Sequence, residues 1–167
     1  WGVALRIEHD INDDLLLTSI SDFKDYEKLL FLDVDGGPAN QSVNYAAVDA
    51  TSFTQEFRLN GTADQTRWVA GLYYLNIDNV SDNGLKFPVN SVVPGAPFDL
   101  GSDADLETDS YSLFGQVEYD LREDLTLIVG ARVIQEEKDY SFAQNIYFTA
   151  DSSQIHQGTP GLLGPGD

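Results

Sequence analysis

Carboxylates are the most abundant groups in this chain that could do chemistry. There are 28 Asp and Glu against 9 Lys and Arg, a formal charge of -19 over 167 residues. With so many acids, some pair always stands at acid–base spacing, so no single pair identifies a catalyst. Glu56 with Arg58, and Glu118 with Arg132, are expected to be ion-pair partners and not catalysts. The two histidines, His9 at a turn and His156 in the tail, lack an HExxH or H-x-H context. A zinc site is therefore not expected at either. Asp33-Val34-Asp35-Gly36 has the opening of a calcium loop, and residues 99–109 are similarly oxygen-rich. A calcium loop needs a third ligand before its glycine and a closing glutamate, and both are missing after Asp33. A solvated acidic loop tip is the expectation.

Other chemistries are excluded more firmly. The chain has no cysteine, so disulfides, thiol catalysis and Cys-ligated metals are ruled out. No G-x-S-x-G elbow and no Gly-rich phosphate loop is present. The acidic balance repels phosphate backbones, which argues against nucleic acid as a partner. No catalytic, cofactor-binding or metal-ligating residue is assigned, no cofactor is expected, and the chain is not read as an enzyme.

The elements that would position side chains are strands. With 42% hydrophobic and 11% aromatic residues, the chain is rich enough in apolar groups to fold despite its charge. Period-two alternation recurs, whereas helical periodicity is hard to find. Strands are expected over 1–9, 15–26, 52–60, 67–79, 108–121 and 125–142. Short turns are expected near 10–14, 61–66 and 122–124, with Asn60-Gly61 a strong hairpin signal. Residues 27–51 and 80–107 read as long loops. All six prolines lie in these loops or in the tail after 142. The register of the second strand is ambiguous, because Leu15, Leu16 and Leu17 are consecutive.

The two faces of these strands differ sharply. One carries Trp1, Val3, Leu5, Ile7; Phe53, Gln55, Phe57, Leu59; Tyr111, Leu113, Val117, Leu121; Leu125, Leu127, Val129, Val133, and no charge. The other holds Arg6, Glu8, Glu56, Arg58, Glu118, Asp120 and Arg132. A soluble sandwich and a membrane sheet both divide their faces this way. The connections separate the two, since they alternate short and long as do the turns and loops of outer-membrane barrels. Aromatic residues near strand ends (Trp1, Trp68, Tyr111, Tyr119) suit interfacial girdles. No run approaches the roughly 20 apolar residues of a membrane helix, but a barrel strand needs only about 10. The expected fold is all-β: about six antiparallel strands in up-and-down hairpins, an open sheet cut from a transmembrane β-barrel. A start inside a strand, without methionine, fits a segment of a longer protein.

At these same residues the sequence resembles TonB-dependent receptors. Ser52-Phe-Thr-Gln-Glu-Phe-Arg-Leu followed by Trp68-Val-Ala-Gly-Leu-Tyr-Tyr is similar to one hairpin of their barrels. Tyr111-Ser-Leu-Phe-Gly-Gln followed by Leu125-Thr-Leu-Ile-Val-Gly-Ala-Arg is similar to another, and Leu16-Leu-Thr-Ser-Ile to a further strand. The resemblance covers roughly residues 1–142. It implies a Gram-negative outer-membrane barrel of about 22 strands, plugged at its lumen. It also implies import of a scarce nutrient such as a siderophore, cobalamin or a carbohydrate, driven through TonB. The implied partners are the TonB complex through a plug, an extracellular ligand through the long loops, and outer-membrane lipid. This chain shows no recognisable plug, TonB box or aromatic-ended terminal strand. Residues 1–167 are therefore expected to be part of one barrel domain that does not transport alone. A porin segment and a soluble secreted β-protein, such as a calcium-assisted carbohydrate binder, are the alternatives.

Overall fold

The computed structural model describes residues 1–34, 36–37, 42–87, 98–148 and 159–160. His156, Asp35 and the prolines at 38, 88, 94, 97 and 165 lie outside them. The described residues form one sheet with the strands in chain order, an antiparallel up-and-down arrangement that stays open. The strands are β1 (Gly2–Asn12), β2 (Leu15–Asp33), β3 (Val43–Ala63), β4 (Thr66–Phe87), β5 (Phe98–Arg122) and β6 (Leu125–Phe148). A two-residue β7 (Thr159–Pro160) pairs with Tyr147 and Phe148 at the end of β6. Pro160 has no amide hydrogen to donate, so it sits where such residues are tolerated, at an edge.

All three short turns lie where alternation places them, between Asn12 and Leu15, Ala63 and Thr66, and Arg122 and Leu125. Asn12 Oδ1 accepts from the Asp14 amide at 3.0 Å, closing the first as a side-chain turn. In the second, Asp64 takes φ 48°, a left-handed conformation that Asp tolerates better than most residues. The turn is therefore at Asp64-Gln65, inside the expected 61–66 and four residues beyond the Asn60-Gly61 signal. Gly61 serves space and not backbone twist: a Cβ there would collide with the indole of Trp68.

The register of β2 is also settled. Val3 pairs with Phe23, Leu5 with Ser21, Ile7 with Ser19 and His9 with Leu17, with an irregularity between Asp10 and Asn12. Leu17 thus joins the apolar face and Thr18 is buried.

The two long loops are shorter than expected. β2 to β6 run 19–25 residues, twice what a bilayer requires, and take up much of 27–51 and 80–107. Those extensions lack strict alternation, as at Leu29-Leu30-Phe31-Leu32 and Ala46-Ala47-Val48, and so read as loops in the sequence.

Two compact units divide the chain. One comprises 1–25, 51–77 and 107–138 and holds the three short turns; the other comprises 26–50, 78–106 and 139–167. The first unit yields a direct test of the Gly61 contact. Gly61→Ala should destabilise the folded protein by about 1–3 kcal/mol through overpacking. Trp68→Ala in the same chain should relieve most of that cost, as read from denaturant unfolding midpoints.

Candidate functional site

Alternate residues on each strand of the first unit define two surfaces. On β5 the apolar members Tyr111, Leu113, Val117 and Leu121 are exposed, while Ser110 and Ser112 between them are buried. Leu113 is 58% exposed, and Val129 on β6 is 61% exposed. Among the described residues Tyr45 is the only buried hydrophobic, against seven buried polar or charged residues. A water-soluble domain does the reverse. The described strands form one sheet, with no second sheet to cover the apolar face. Among the positions expected on that face, Phe57, Leu113, Val117, Leu127 and Val129 are exposed and Leu59 is partly so.

The apolar face ends in aromatic residues whose polar atoms are bonded. Trp1 Nε1 donates to Asp25 at 2.9 Å and stacks on Phe23. Tyr74 Oη donates to Asp109 Oδ1 at 2.7 Å, and the same oxygen accepts from Asn76 at 3.3 Å. Midway along the face, Gln55 accepts from the Ser21 hydroxyl and donates to Ser19 Oγ at 3.1 Å. It also donates to the Glu56 carbonyl. The Trp1 indole N–H, the Tyr74 hydroxyl and the Gln55 amide thus each find a partner within the protein, as polar atoms in hydrocarbon must.

The opposite face carries the charge. Arg67 on β4 forks onto Asp120 of β5 at 2.7 and 3.0 Å and reaches Glu118 at 3.3 Å. Thr126 of β6 donates to the same Asp120 at 2.6 Å, tying three strands together. Glu56 pairs with Arg58, as expected from the sequence. Arg6–Glu8, Lys24–Asp22 and Lys138–Glu136 share that i,i+2 spacing, which keeps both partners on one face.

The expected pairing of Glu118 with Arg132 does not form. Glu118 belongs to Arg67, while Arg132 donates to Ser112 Oγ at 2.9 Å and lies over the Tyr73 and Phe114 rings. Sequence alone could not rank these partners, because the choice depends on the β4–β5 register. His9 likewise lies inside β1 opposite Leu17, and not in a turn.

The second unit holds a separate buried cluster. Lys86 Nζ bonds Asp99 Oδ2 at 2.8 Å, with the side chains 1% and 0% exposed. Lys86 also lies 4.9 Å from the centre of the Tyr45 ring. Burial, and then the nearby Asp99 carboxylate, push the Tyr45 phenol well above its ordinary pKa. Tyr45 and Lys86 stood in stretches read as loop, and Asp99 in an oxygen-rich stretch expected to be a solvated tip; it is instead buried within β5. Among the described residues no group of acids and histidines is arranged to hold a metal ion.

A family model described as TonB dependent receptor-like, beta-barrel, matches residues 1–160. The chain belongs to that family. No solved structure matches it. Membership replaces the porin and soluble-sandwich readings and accounts for the inverted burial. TonB-dependent receptors are transporters or receptors of the Gram-negative outer membrane and not enzymes.

The Lys86–Asp99 pair should behave as a buried ion pair. Lys86→Met alone should cost about 3–5 kcal/mol by stranding a buried carboxylate. Lys86→Met with Asp99→Leu should recover most of that loss. Denaturant titration of the purified receptor measures both.

Proposed function

We propose that residues 1–167 form part of the barrel wall of an outer-membrane receptor that imports a scarce nutrient through TonB. Siderophores, cobalamin and carbohydrates are the substrate classes that fit this reading. The apolar face meets lipid, the charged face lines the lumen, and the ends of the strands away from the short turns lead toward the extracellular ligand. TonB acts through a plug within the same receptor.

The observation that carries the reading is the inverted burial, apolar outside and polar inside, on a chain that belongs to this family. The dimensions support it. From Tyr111 to Leu121 the apolar row runs about 33 Å along the strand at ~3.3 Å per residue. Tilted by about 40°, such a row covers about 25 Å, the height of an outer-membrane apolar band.

Two experiments test the reading. A strain lacking the receptor should grow poorly when one such nutrient is limiting and recover when it is in excess. Uptake by the intact receptor should vanish when TonB is deleted, and uptake that persists without TonB would overturn the proposal.

The second concerns the face itself. Val129→Arg, midway along the apolar row, should cost about 2–4 kcal/mol for folding into lipid vesicles. Gln116→Arg, on the opposite face, should change it by no more than about 0.5 kcal/mol. Equal costs for the two would mean that the apolar face does not meet lipid.

A further inference from the structure

Among the described residues, six of the nine Lys and Arg form ion pairs, and Lys28, Arg122 and Arg132 do not. Arg132 differs from the other two, because its head is fixed without an acid. Its Nη2 donates to Ser112 Oγ at 2.9 Å. The guanidinium lies 5.5 Å from the centre of the Tyr73 ring and 6.0 Å from that of Phe114, close enough for both faces to attract it.

The missing acid has a local cause. Arg6, Arg58 and Arg67 each find a carboxylate two residues away or on the next strand. The residues two places from Arg132 are Gly130 and Ile134, and the β5 side chains it touches are Ser112 and Phe114. A guanidinium has five N–H donors in a planar fork, and one is spent on Ser112.

Arg132 lines a groove of about 700 Å³ in the charged face, within the range of small-molecule pockets. Phe114, Gln116, Glu56 and Arg58 line it too. Arg58 is neutralised by Glu56, so Arg132 supplies the groove's uncompensated charge. Arg132 stands seven residues beyond Leu125, about 23 Å from the short turn at ~3.3 Å per residue. That is past the middle of the apolar row, toward the end where a ligand enters.

A held fork beside an aromatic ring matches a carboxylate on an apolar body. Paired N–H groups meet the two oxygens, and Phe114 meets the body. The single charge of a carboxylate equals the charge left over. A dianionic phosphate would bring a surplus beside Glu56, and a neutral sugar would leave the fork empty.

We propose that Arg132, with Phe114, binds a carboxylate of the imported nutrient as it enters the lumen. The inference rests on the import reading above and narrows its substrates to carboxylate-bearing ones. No covalent step is involved.

The test uses the full receptor, purified in detergent, with small fluorinated probes followed by fluorine NMR line broadening. Para-fluorobenzoate should bind about ten-fold more tightly than para-fluorobenzamide, the size of one charge-assisted contact. Arg132→Gln should reduce the benzoate to the level of the amide. Arg132→Lys keeps the charge but not the fork, and should lose most of the preference. Arg122→Gln removes an unpaired charge at a short turn and should change nothing. Equal or absent binding of benzoate and amide, or a preference that survives Arg132→Gln, overturns the subsite. Para-fluorophenyl phosphate bound as tightly as the benzoate overturns the choice of a carboxylate. Benzoate binding that depends on Arg132, beside nutrient uptake that needs no TonB, would instead defeat the import reading, a failure distinct from both.

Discussion

Hydrocarbon offers no hydrogen bonds, so each backbone amide crossing it must find its partner in the protein. A sheet does this between strands, and its side chains are then forced to alternate between two environments. The rest of this chain depends on that constraint. It explains why Leu113 and Val129 are exposed while Ser110 and Ser112 are buried. It explains why Arg58 pairs with Glu56 and Arg6 with Glu8, since i,i+2 partners are the nearest residues that share a face. It also explains why Gln55, midway along the apolar face, spends its amide on Ser19, Ser21 and a backbone carbonyl. A polar group there is tolerable because its bonds are made before it meets lipid.

The same constraint decides what could be read from the sequence. Where one face must be apolar, alternation is strict, and the strands around Val3, Phe57, Leu113 and Leu127 were legible with their faces. Past that band the two faces no longer differ in polarity, as at Leu29-Leu30-Phe31-Leu32, and the pattern loses its force. Residues 27–33 and 43–51 therefore read as loop although they are strand. The buried cluster of Tyr45, Lys86 and Asp99 was hidden for the same reason. Pairing between strands was the other blind spot. The sequence reading gave Glu118 to Arg132, whereas the register gives it to Arg67.

The buried pair in the second unit shows a different solution to polar burial. Lys86 and Asp99 are both withdrawn from solvent, where a lone charge would be costly, and the Tyr45 ring covers the cation. Such a pair is weak as a source of stability but intolerant of losing one member.

Glycine and aromatic residues share a further arrangement across the chain. Gly61 faces the Trp68 indole, Gly71 the Phe114 ring and Gly84 the Tyr45 ring, and at each a Cβ would overlap the aromatic atoms. Glycine inside a strand weakens it through backbone freedom and the loss of a packing side chain. Here the vacancy is filled by a ring from a neighbouring strand, which restores the packing that glycine removes. The consequences differ with place. Gly61 lets Trp68 lie along the apolar face near a short turn. Gly71 lets Phe114 lie flat on the charged face, where with Tyr73 it holds the Arg132 guanidinium. Gly84 admits the Tyr45 ring on which Lys86 rests. Read from the sequence, Gly61 looked like a turn residue because Asn-Gly commonly is one. Its role depends on the ring across the ladder, which local sequence does not specify.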